Sequence, residues 1–166
     1  GNQSYQYDEN GNLLSDGNNS YVFNDINQLL SIKDKNGQAI ESYTYDEDGK
    51  RISLTTSSGT INYFYAGDNV LYETDGSNKI IREYTYNQNN QVETMTKNGY
   101  TYYYLYNQHG DVMALTDSAG TVVAEYTYDA WGNILTQSGP MASDNPYRYA
   151  GYRYDENTKL YYLMAR

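Results

Sequence analysis

The stretch YTYDAWGNIL, residues 126–135, decides the fold because its order of residue types recurs along the whole chain. Two tyrosines stand two places apart, an aspartate follows them, and a glycine comes three places later, before an apolar pair. The same order is present in YQYDENGNLL (5–14), YTYDEDGKRI (43–52), YTYNQNNQV (84–92) and YLYNQHGDVM (104–113). Self-similarity of this kind predicts a repeat architecture, in which each unit has the same local structure.

The first aromatic residue of each unit sets the period. These residues are Tyr5, Tyr21, Tyr43, Tyr63, Tyr84, Tyr104, Tyr126 and Tyr147. Their spacings are 16, 22, 20, 21, 20, 22 and 21 residues, so the period is close to 21 with one short unit. The eighth unit is irregular and carries a second start at Tyr152.

Each unit begins with aromatic residues at its first and third places, which share one face of a strand because side chains alternate with period two. Tyrosine has an apolar body and a polar tip, so we expect one end of each ring to lie near water. An Asp or Asn at the fourth place predicts a turn, because its short side chain binds the backbone two residues on. The predicted structural signature comprises Tyr5, Tyr7, Asp8, Gly11, Tyr43, Tyr45, Asp46, Gly49, Tyr104, Tyr106, Gly110, Tyr126, Tyr128, Asp129 and Gly132.

Two turns close each unit. In the first turn a residue that tolerates positive φ is predicted in all seven regular units, at Gly11, Asn27, Gly49, Asn69, Asn90, Gly110 and Gly132. Only Ala66 departs from Asp or Asn at the turn's start. The second turn is predicted at Asp16-Gly17, Asn36-Gly37, Ser58-Gly59, Asp75-Gly76, Asn98-Gly99, Ala119-Gly120 and Ser138-Gly139. A unit is therefore strand, turn, strand, turn, and eight units predict about sixteen short antiparallel strands in a meander.

The predicted fold class is all-β, with antiparallel β-hairpin repeats forming a continuous curved or spiralling β-strip. An open sheet of more than about ten strands curls or splits, and the native twist of strands favours a spiral. No helix start signal followed by apolar residues at helical spacing occurs. Each unit buries its apolar face against its neighbours, so the ends of the strip are expected to be its weakest parts.

The composition excludes several classes of function. The 166 residues include 23 tyrosines and no cysteine, which excludes disulfides, thiolate metal sites and cysteine catalysis. A net charge of −10 disfavours binding to nucleic acid or to anionic lipid. No apolar run approaches the length of about 20 residues that a membrane helix needs. No signal peptide opens the chain, which reads as a segment excised from something longer.

These units resemble the tyrosine-aspartate (YD) or Rhs repeats of bacterial polymorphic toxins, wall-associated proteins, insecticidal toxin complexes and animal teneurins. HGDVMALTDSAGTVVAEYTYDAWGNIL (109–135) and NPYRYAGYRYDENTKLYYLMAR (145–166) are similar to the N-terminal part of the Rhs repeat-associated core. The resemblance implies YD repeats over 1–103 and a truncated associated core over 104–166, in one continuous structural unit. It also implies a secreted protein, or one at the bacterial cell wall or cell surface.

In the family that it resembles, the strip forms a hollow shell around cargo, and the associated core closes one end. The implied function is therefore part of a β-shell that encapsulates or presents a C-terminal effector or toxin domain of the same full-length chain. The self-cleavage region of such cores lies beyond Arg166, so no catalytic residue is carried over and no enzymatic activity is expected. One departure is Lys159, where relatives often have glycine, which puts the usual tight turn there in doubt.

Other functions remain open at this level. Exposed tyrosines favour an alternative function as a carbohydrate-binding or surface-binding adhesin, since aromatic rings stack on sugars. His109 is read as a turn residue rather than a catalytic base, and Trp131 as a packing anchor. Acidic turns such as 46–48 are read as solvated rather than as calcium sites, and no metal or cofactor is expected. Unpaired strand edges favour self-association of the strip.

Overall fold

The structure is a computed structural model that describes residues 4–163. It contains sixteen β-strands and one short 3₁₀ turn at Tyr149–Gly151. The strands are β1 (Gln6–Tyr7), β2 (Leu13–Ser15), β3 (Ser20–Phe23), β4 (Leu29–Lys33), β5 (Ala39–Tyr45), β6 (Arg51–Thr56), β7 (Gly59–Ala66), β8 (Asn69–Asp75), β9 (Ile80–Tyr86), β10 (Val92–Lys97), β11 (Tyr100–Tyr106), β12 (Val112–Thr116), β13 (Val122–Tyr128), β14 (Ile134–Ser138), β15 (Arg153–Asp155) and β16 (Leu160–Tyr162). Among the described residues no helix is long and apolar enough to cross a membrane.

Strands β1 to β14 form one antiparallel sheet whose order follows the chain. This arrangement confirms the predicted all-β strip of antiparallel hairpins. The expected meander of sixteen strands ends two strands early, because β15 and β16 form a separate two-stranded sheet. By its internal contacts the chain divides after Ile80 into two compact units, whose described parts are residues 4–80 (unit 1) and 81–163 (unit 2).

In the repeats that have Asp or Asn at the fourth place, the first turn is built around that residue. In the third repeat the Asp46 carboxylate accepts the backbone N–H groups of Asp48 and Lys50, both at 2.9 Å. The backbone carbonyl of Asp46 accepts the N–H of Gly49 at 3.1 Å, and Gly49 has φ of +83°. The side chain thus satisfies backbone groups that the turn takes out of the sheet, which explains why Asp or Asn is needed there.

The left-handed position is confirmed in six repeats and is wrong at Asn69. That loop consists only of Gly67 and Asp68, because Ala66 pairs directly with Asn69, and Gly67 carries the positive φ of +59°. Alanine has no side-chain oxygen with which to hold the longer turn, so the two-residue loop replaces it.

The second turn is also less uniform than its glycines indicate. Asn98 and Gly99 form a two-residue loop with both φ values positive, +53° and +81°, which is the hairpin that the dipeptide predicts. At Asp75, however, the carboxylate builds the longer turn, and the left-handed residue is Asn78 rather than Gly76. At this position the aspartate, rather than the glycine that follows it, determines the turn.

The core of each unit lies on the tyrosine face. First-place tyrosines are buried in unit 1 at Tyr43 and Tyr63, and in unit 2 at Tyr84, Tyr104 and Tyr126. In unit 2 the apolar residues Met95 and Leu115 pair across the strands with Tyr84 and Tyr104. The first repeat is an exception, because Tyr5 and Tyr7 are more than half exposed and β1 has only two residues. The N-terminal end of the strip is accordingly poorly packed.

Candidate functional site

The C-terminal segment, residues 139–163, turns back from β14 and covers the tyrosine face of unit 2. Its entry is tight, because a Cβ atom at Gly139 would lie 2.4 Å from the carbonyl oxygen of Val123. Two residues on, Met141 donates its N–H to that same oxygen at 2.8 Å. Since the backbones approach this closely, only glycine fits at the point where the segment leaves the sheet.

Asn145 is the centre of the contact between the segment and the sheet, and its side chain is completely buried. Its Oδ1 accepts the hydroxyl of Tyr104 at 2.5 Å and the N–H of Tyr147 at 3.1 Å. Its Nδ2 donates to the hydroxyl oxygen of Tyr126 at 3.2 Å and to the carbonyl of Tyr147 at 2.7 Å. All four hydrogen-bonding positions of the amide are therefore used, and two of them join first-place tyrosines on neighbouring repeats.

Arg148 lies beside this amide and is also completely buried. Its Nε donates to the carbonyl of Asn145 at 3.1 Å and its Nη2 to the carbonyl of Ala142 at 2.8 Å. Its Nη1 donates to the side-chain oxygen of Gln137 on β14 at 3.1 Å. A buried guanidinium is costly unless its donors are satisfied, and here they tie two parts of the segment and one strand together.

The charge of Arg148 is balanced by Glu156, whose Oε1 lies 2.7 Å from Nη2. Burial raises the pKa of Glu156, but hydrogen bonds from Lys159, Gln137 and Arg148 outweigh it and lower the pKa to about 2. The guanidinium also lies over the rings of Tyr126 and Tyr154, 5.0 and 4.6 Å from their centroids. The ion pair therefore links the β15–β16 hairpin to the tyrosine face.

Asp111 holds the segment at a second point. Its Oδ1 accepts the N–H of Ala150 at 2.7 Å, and the neighbouring Val112 donates its N–H to the carbonyl of Arg148 at 3.1 Å. Burial raises the pKa of Asp111, but hydrogen bonds from Asn107, His109 and Ala150 lower it further, so the net pKa is below the usual value. The anchor at Asp111 places Ala150 at a φ of +52°, a strained conformation for a residue with a Cβ.

An ion pair at the other end of the tyrosine face completes the attachment. Asp144 lies 2.7 Å from Nζ of Lys97 on β10 and 3.7 Å from Nη2 of Arg82 on β9. The ring of Tyr147 meets the ring of Tyr84 edge-on with centroids 5.2 Å apart. The segment therefore spans the sheet of unit 2 from β13 to β9.

Third-place tyrosines have a role that the sequence did not reveal. Four of them donate the hydroxyl to a backbone carbonyl of the preceding repeat at 2.6 Å, namely Tyr45 to Leu29, Tyr65 to Arg51, Tyr106 to Val92 and Tyr128 to Val112. Each of the four also lies at a β-bulge of its own hairpin. The expectation that the ring tips face water is therefore wrong for these residues, and burial raises the pKa of Tyr106 and Tyr128 well above the usual value.

Seven of the predicted signature residues lie in the first turns of their repeats. Asp8, Asp46 and Asp129 start turns, and Gly11, Gly49, Gly110 and Gly132 have positive φ. Tyr104 and Tyr126 converge on a common partner in the C-terminal segment, Asn145. Sequence reasoning missed Asn145, Arg148, Glu156 and Asp111, since no repeat position marks the first three and Asp111 reads as an ordinary turn residue.

Three further expectations can be compared with the structure. His109 does lie in a turn, and its Nδ1 is 2.8 Å from Asp111. Trp131 is not a packing anchor, because it is 85% exposed at the tip of its turn, where nothing in its unit covers it. The turn at Lys159 does form, with φ of +61° and its N–H donated to the carbonyl of Asp155 at 2.7 Å. Among residues 4–163 no group of three or more potential metal ligands occurs.

Comparison with known proteins identifies the same repeat elsewhere. The chain is 48% identical over 168 residues to the tRNA3(Ser)-specific nuclease WapA of Bacillus spizizenii, covering 99% of this chain and 7% of that protein. It is equally similar to the tRNA nuclease WapA of Bacillus subtilis, and 28% identical to Teneurin-1 of Gallus gallus over 98% of this chain and 6% of that one. The chain thus spans less than a tenth of these relatives.

Solved structures share the fold. The crystal structure of TcdB2-TccC3-Cdc42 superposes with a TM-score of 0.72 at 19% identity, over 94% of this chain and 9% of that one. The family model of the Teneurin YD-shell matches residues 1–166, which confirms the resemblance to YD and Rhs repeats. With the hairpin repeat, the Asp or Asn turns and the family match in agreement, this chain belongs to the Teneurin YD-shell family.

Proposed function

We propose that this chain is a wall segment of a secreted or cell-surface shell of the Rhs type, which encloses or presents a C-terminal effector of the full-length protein. The observation that carries the proposal is the C-terminal segment seated on the tyrosine face through Asn145 and Arg148, both completely buried. A shell wall that carries an effector needs a firm attachment between its repeats and the segment that leads away from them. The buried amide and the Arg148–Glu156 pair are such a join.

The relatives support this assignment by their names and lengths. Two are named tRNA nucleases, and the part that matches this chain is 7% of each. We propose that the nuclease activity of such proteins belongs to another part of their chains and that the YD repeats are not catalytic. Residues 1–166 alone are then expected to leave tRNA intact. Cleavage of tRNA by the isolated segment would contradict the proposal that the YD repeats are not catalytic.

The shell role is tested in the full-length protein that contains this segment. Asn145→Ala leaves the hydroxyls of Tyr104 and Tyr126 without their amide partner. If the segment joins wall to cargo, limited proteolysis should release the C-terminal region faster in this variant than in the wild type. Asn89→Ala is the control, because Asn89 is an exposed turn residue whose backbone N–H alone is bound. Equal release from both variants would contradict the shell role.

Exposed aromatic residues favour a second function, adhesion to carbohydrate. Trp131 and Tyr100 are 85% and 68% exposed and offer flat rings for stacking on sugars. A glycan array with the intact segment tests this function, with Trp131→Ala as the variant. Adhesion predicts loss of glycan binding without loss of thermal stability. If the wild-type segment binds no glycan, the adhesion function is contradicted and only the shell role is left.

A further inference from the structure

Three Asn-Gly dipeptides occur in the chain, at Asn10-Gly11, Asn36-Gly37 and Asn98-Gly99. Asparagine before glycine is the pair most prone to lose its side-chain amide, because glycine leaves its own backbone nitrogen sterically open to attack the asparagine side chain. Asn36 and Asn98 both follow a lysine, so a difference between these two that disappears when the chain is unfolded comes from the structure around them.

Two of the pairs lie in the longer turns, where the glycine nitrogen is engaged. Gly11 donates its N–H to the carbonyl of Asp8 at 3.1 Å, and Gly37 donates to the carbonyl of Asp34 at 3.0 Å. The side chain of Asn10 is engaged as well, since its Nδ2 donates to Oδ1 of Asn27 at 3.1 Å. A nitrogen that donates a hydrogen bond must give it up before it can lose its proton and attack.

The third pair is placed differently. Asn98 and Gly99 are the whole of the loop between β10 and β11, and the pairing of the two strands closes at Lys97 and Tyr100. Both loop residues are exposed, and within residues 4–163 the N–H of Gly99 has no hydrogen-bond acceptor. This is the single Asn-Gly pair of the three whose attacking nitrogen faces solvent without a partner.

We propose that Asn98 is a site of spontaneous deamidation in the folded protein. The backbone nitrogen of Gly99 loses its proton to solvent and bonds to Cγ of Asn98, and the side-chain nitrogen leaves as ammonia. Water then opens the resulting five-membered imide at either carbonyl and yields aspartate or isoaspartate. The sum is one amide and one water converted to one carboxylate and ammonium, with no oxidant or cofactor.

The position of the loop gives the reaction a structural consequence. Isoaspartate inserts one further atom into the backbone of a two-residue loop that is closed by Lys97 and Tyr100. Lys97 is also the partner of Asp144 at 2.7 Å, so the new carboxylate forms next to a residue that holds the C-terminal segment. Product formation at Asn98 should therefore weaken the hairpin and this attachment together.

The test is incubation of the full 166-residue chain at mildly alkaline pH in ¹⁸O-labelled water, followed by peptide mapping of the three sites. Deamidation at Asn98 should exceed that at Asn36 by about fivefold, the factor that corresponds to one ordinary hydrogen bond of about 1 kcal/mol. Asn98→Gln should abolish the signal at this position, because the longer side chain disfavours ring closure. In concentrated urea the rates at Asn98 and Asn36, which both follow a lysine, should become nearly equal.

Two results would overturn the proposal. One is a rate at Asn98 in the folded chain that does not exceed the rate at Asn36. The other is an excess at Asn98 that persists unchanged in urea, since the cause would then lie in the local sequence rather than in the fold. Both results are independent of whether the chain forms part of a shell.

Discussion

The hydroxyl of Tyr106 donates a 2.6 Å hydrogen bond to the carbonyl of Val92, the residue that pairs with Tyr86 in the preceding hairpin. The same relationship recurs at Tyr45, Tyr65 and Tyr128. In each of these repeats a tyrosine hydroxyl therefore binds a main-chain carbonyl of the preceding repeat. Such a bond does not depend on the side chain of the acceptor residue. This explains how the repeats vary at Leu29, Arg51, Val92 and Val112 while keeping the same join.

Tyr106→Phe should therefore destabilise the chain by about 1–2 kcal/mol, since the carbonyl of Val92 loses its partner in a half-buried place. Tyr100→Phe is the matched control, because Tyr100 is 68% exposed. Urea unfolding measures both changes. Equal stability of the two variants would show that the hydroxyl contributes nothing to the join.

The second repeat offers the reverse experiment, because its third-place aromatic is Phe23. By its place in the repeat, a hydroxyl at this position would face the carbonyl of Leu13, which pairs with Tyr7. Phe23→Tyr is expected to stabilise the chain by about 0.5–1 kcal/mol, the net contribution of one new hydrogen bond. A lower free energy of unfolding would mean that the poorly packed first repeat does not present this carbonyl.

Gly139 and Gly120 both have positive φ, +104° and +83°, but they differ in the space around them. A Cβ atom at Gly139 would lie 2.4 Å from the carbonyl oxygen of Val123, whereas one at Gly120 would meet nothing within 4 Å. Both alanine variants carry the cost of a left-handed residue, so their difference isolates the close approach to Val123. Gly139→Ala should be about 1–3 kcal/mol less stable than Gly120→Ala, as in overpacked sites. Thermal melts of the two variants measure this difference in stability. Equal melting temperatures would show that the close approach of Gly139 to Val123 does not exclude a Cβ atom.

The Arg148–Glu156 pair predicts a specific acid response. The folded pKa of Glu156, about 2, lies below the 4.5 that is usual for glutamate, so its contribution is present above pH 4.5 and is lost as the pH falls towards 2. Glu156→Gln should lower stability at neutral pH, because Arg148 remains buried without its counter-charge. The difference in free energy of unfolding between the wild type and Glu156→Gln should therefore become smaller as the pH falls.

Urea midpoints from neutral pH down to about 3 test that response. Glu47→Gln is the control for the loss of one negative charge, since Glu47 is exposed in a turn of unit 1. A gap between wild type and Glu156→Gln that stays constant with pH would contradict an ionised Glu156 in the folded protein.

Lys159 has a left-handed φ of +61° in the turn between β15 and β16. Lys159→Gly should relieve about 1 kcal/mol of backbone strain, which exceeds the loss of its exposed ion pair with Glu156. Lys35→Gly is the matched control, because Lys35 is an exposed turn residue without a positive φ and should lose stability. A loss of stability in both variants would show that strain at Lys159 is negligible.

Much of the fold could be predicted because its determinants are local. The Asp46 carboxylate and Gly49 lie within one turn, so spacing along the chain was enough to place them. The errors arose where two local signals competed, as at Asp75, where the aspartate determined the turn and Gly76 did not. Trp131 was misplaced because large size predicts burial only when another element is present to cover the residue.

By itself, the sequence determined the hairpin unit, its period and the chemistry of most of its corners, since each rests on contacts between residues that are close along the chain. The tertiary structure alone decided that Asn145 meets Tyr104 and Tyr126, that Arg148 is neutralised by Glu156, and that β15 and β16 leave the main sheet. The reason is physical. These contacts depend on where the chain returns after Gly139, and a buried amide or guanidinium is stable only where several distant partners satisfy it at once.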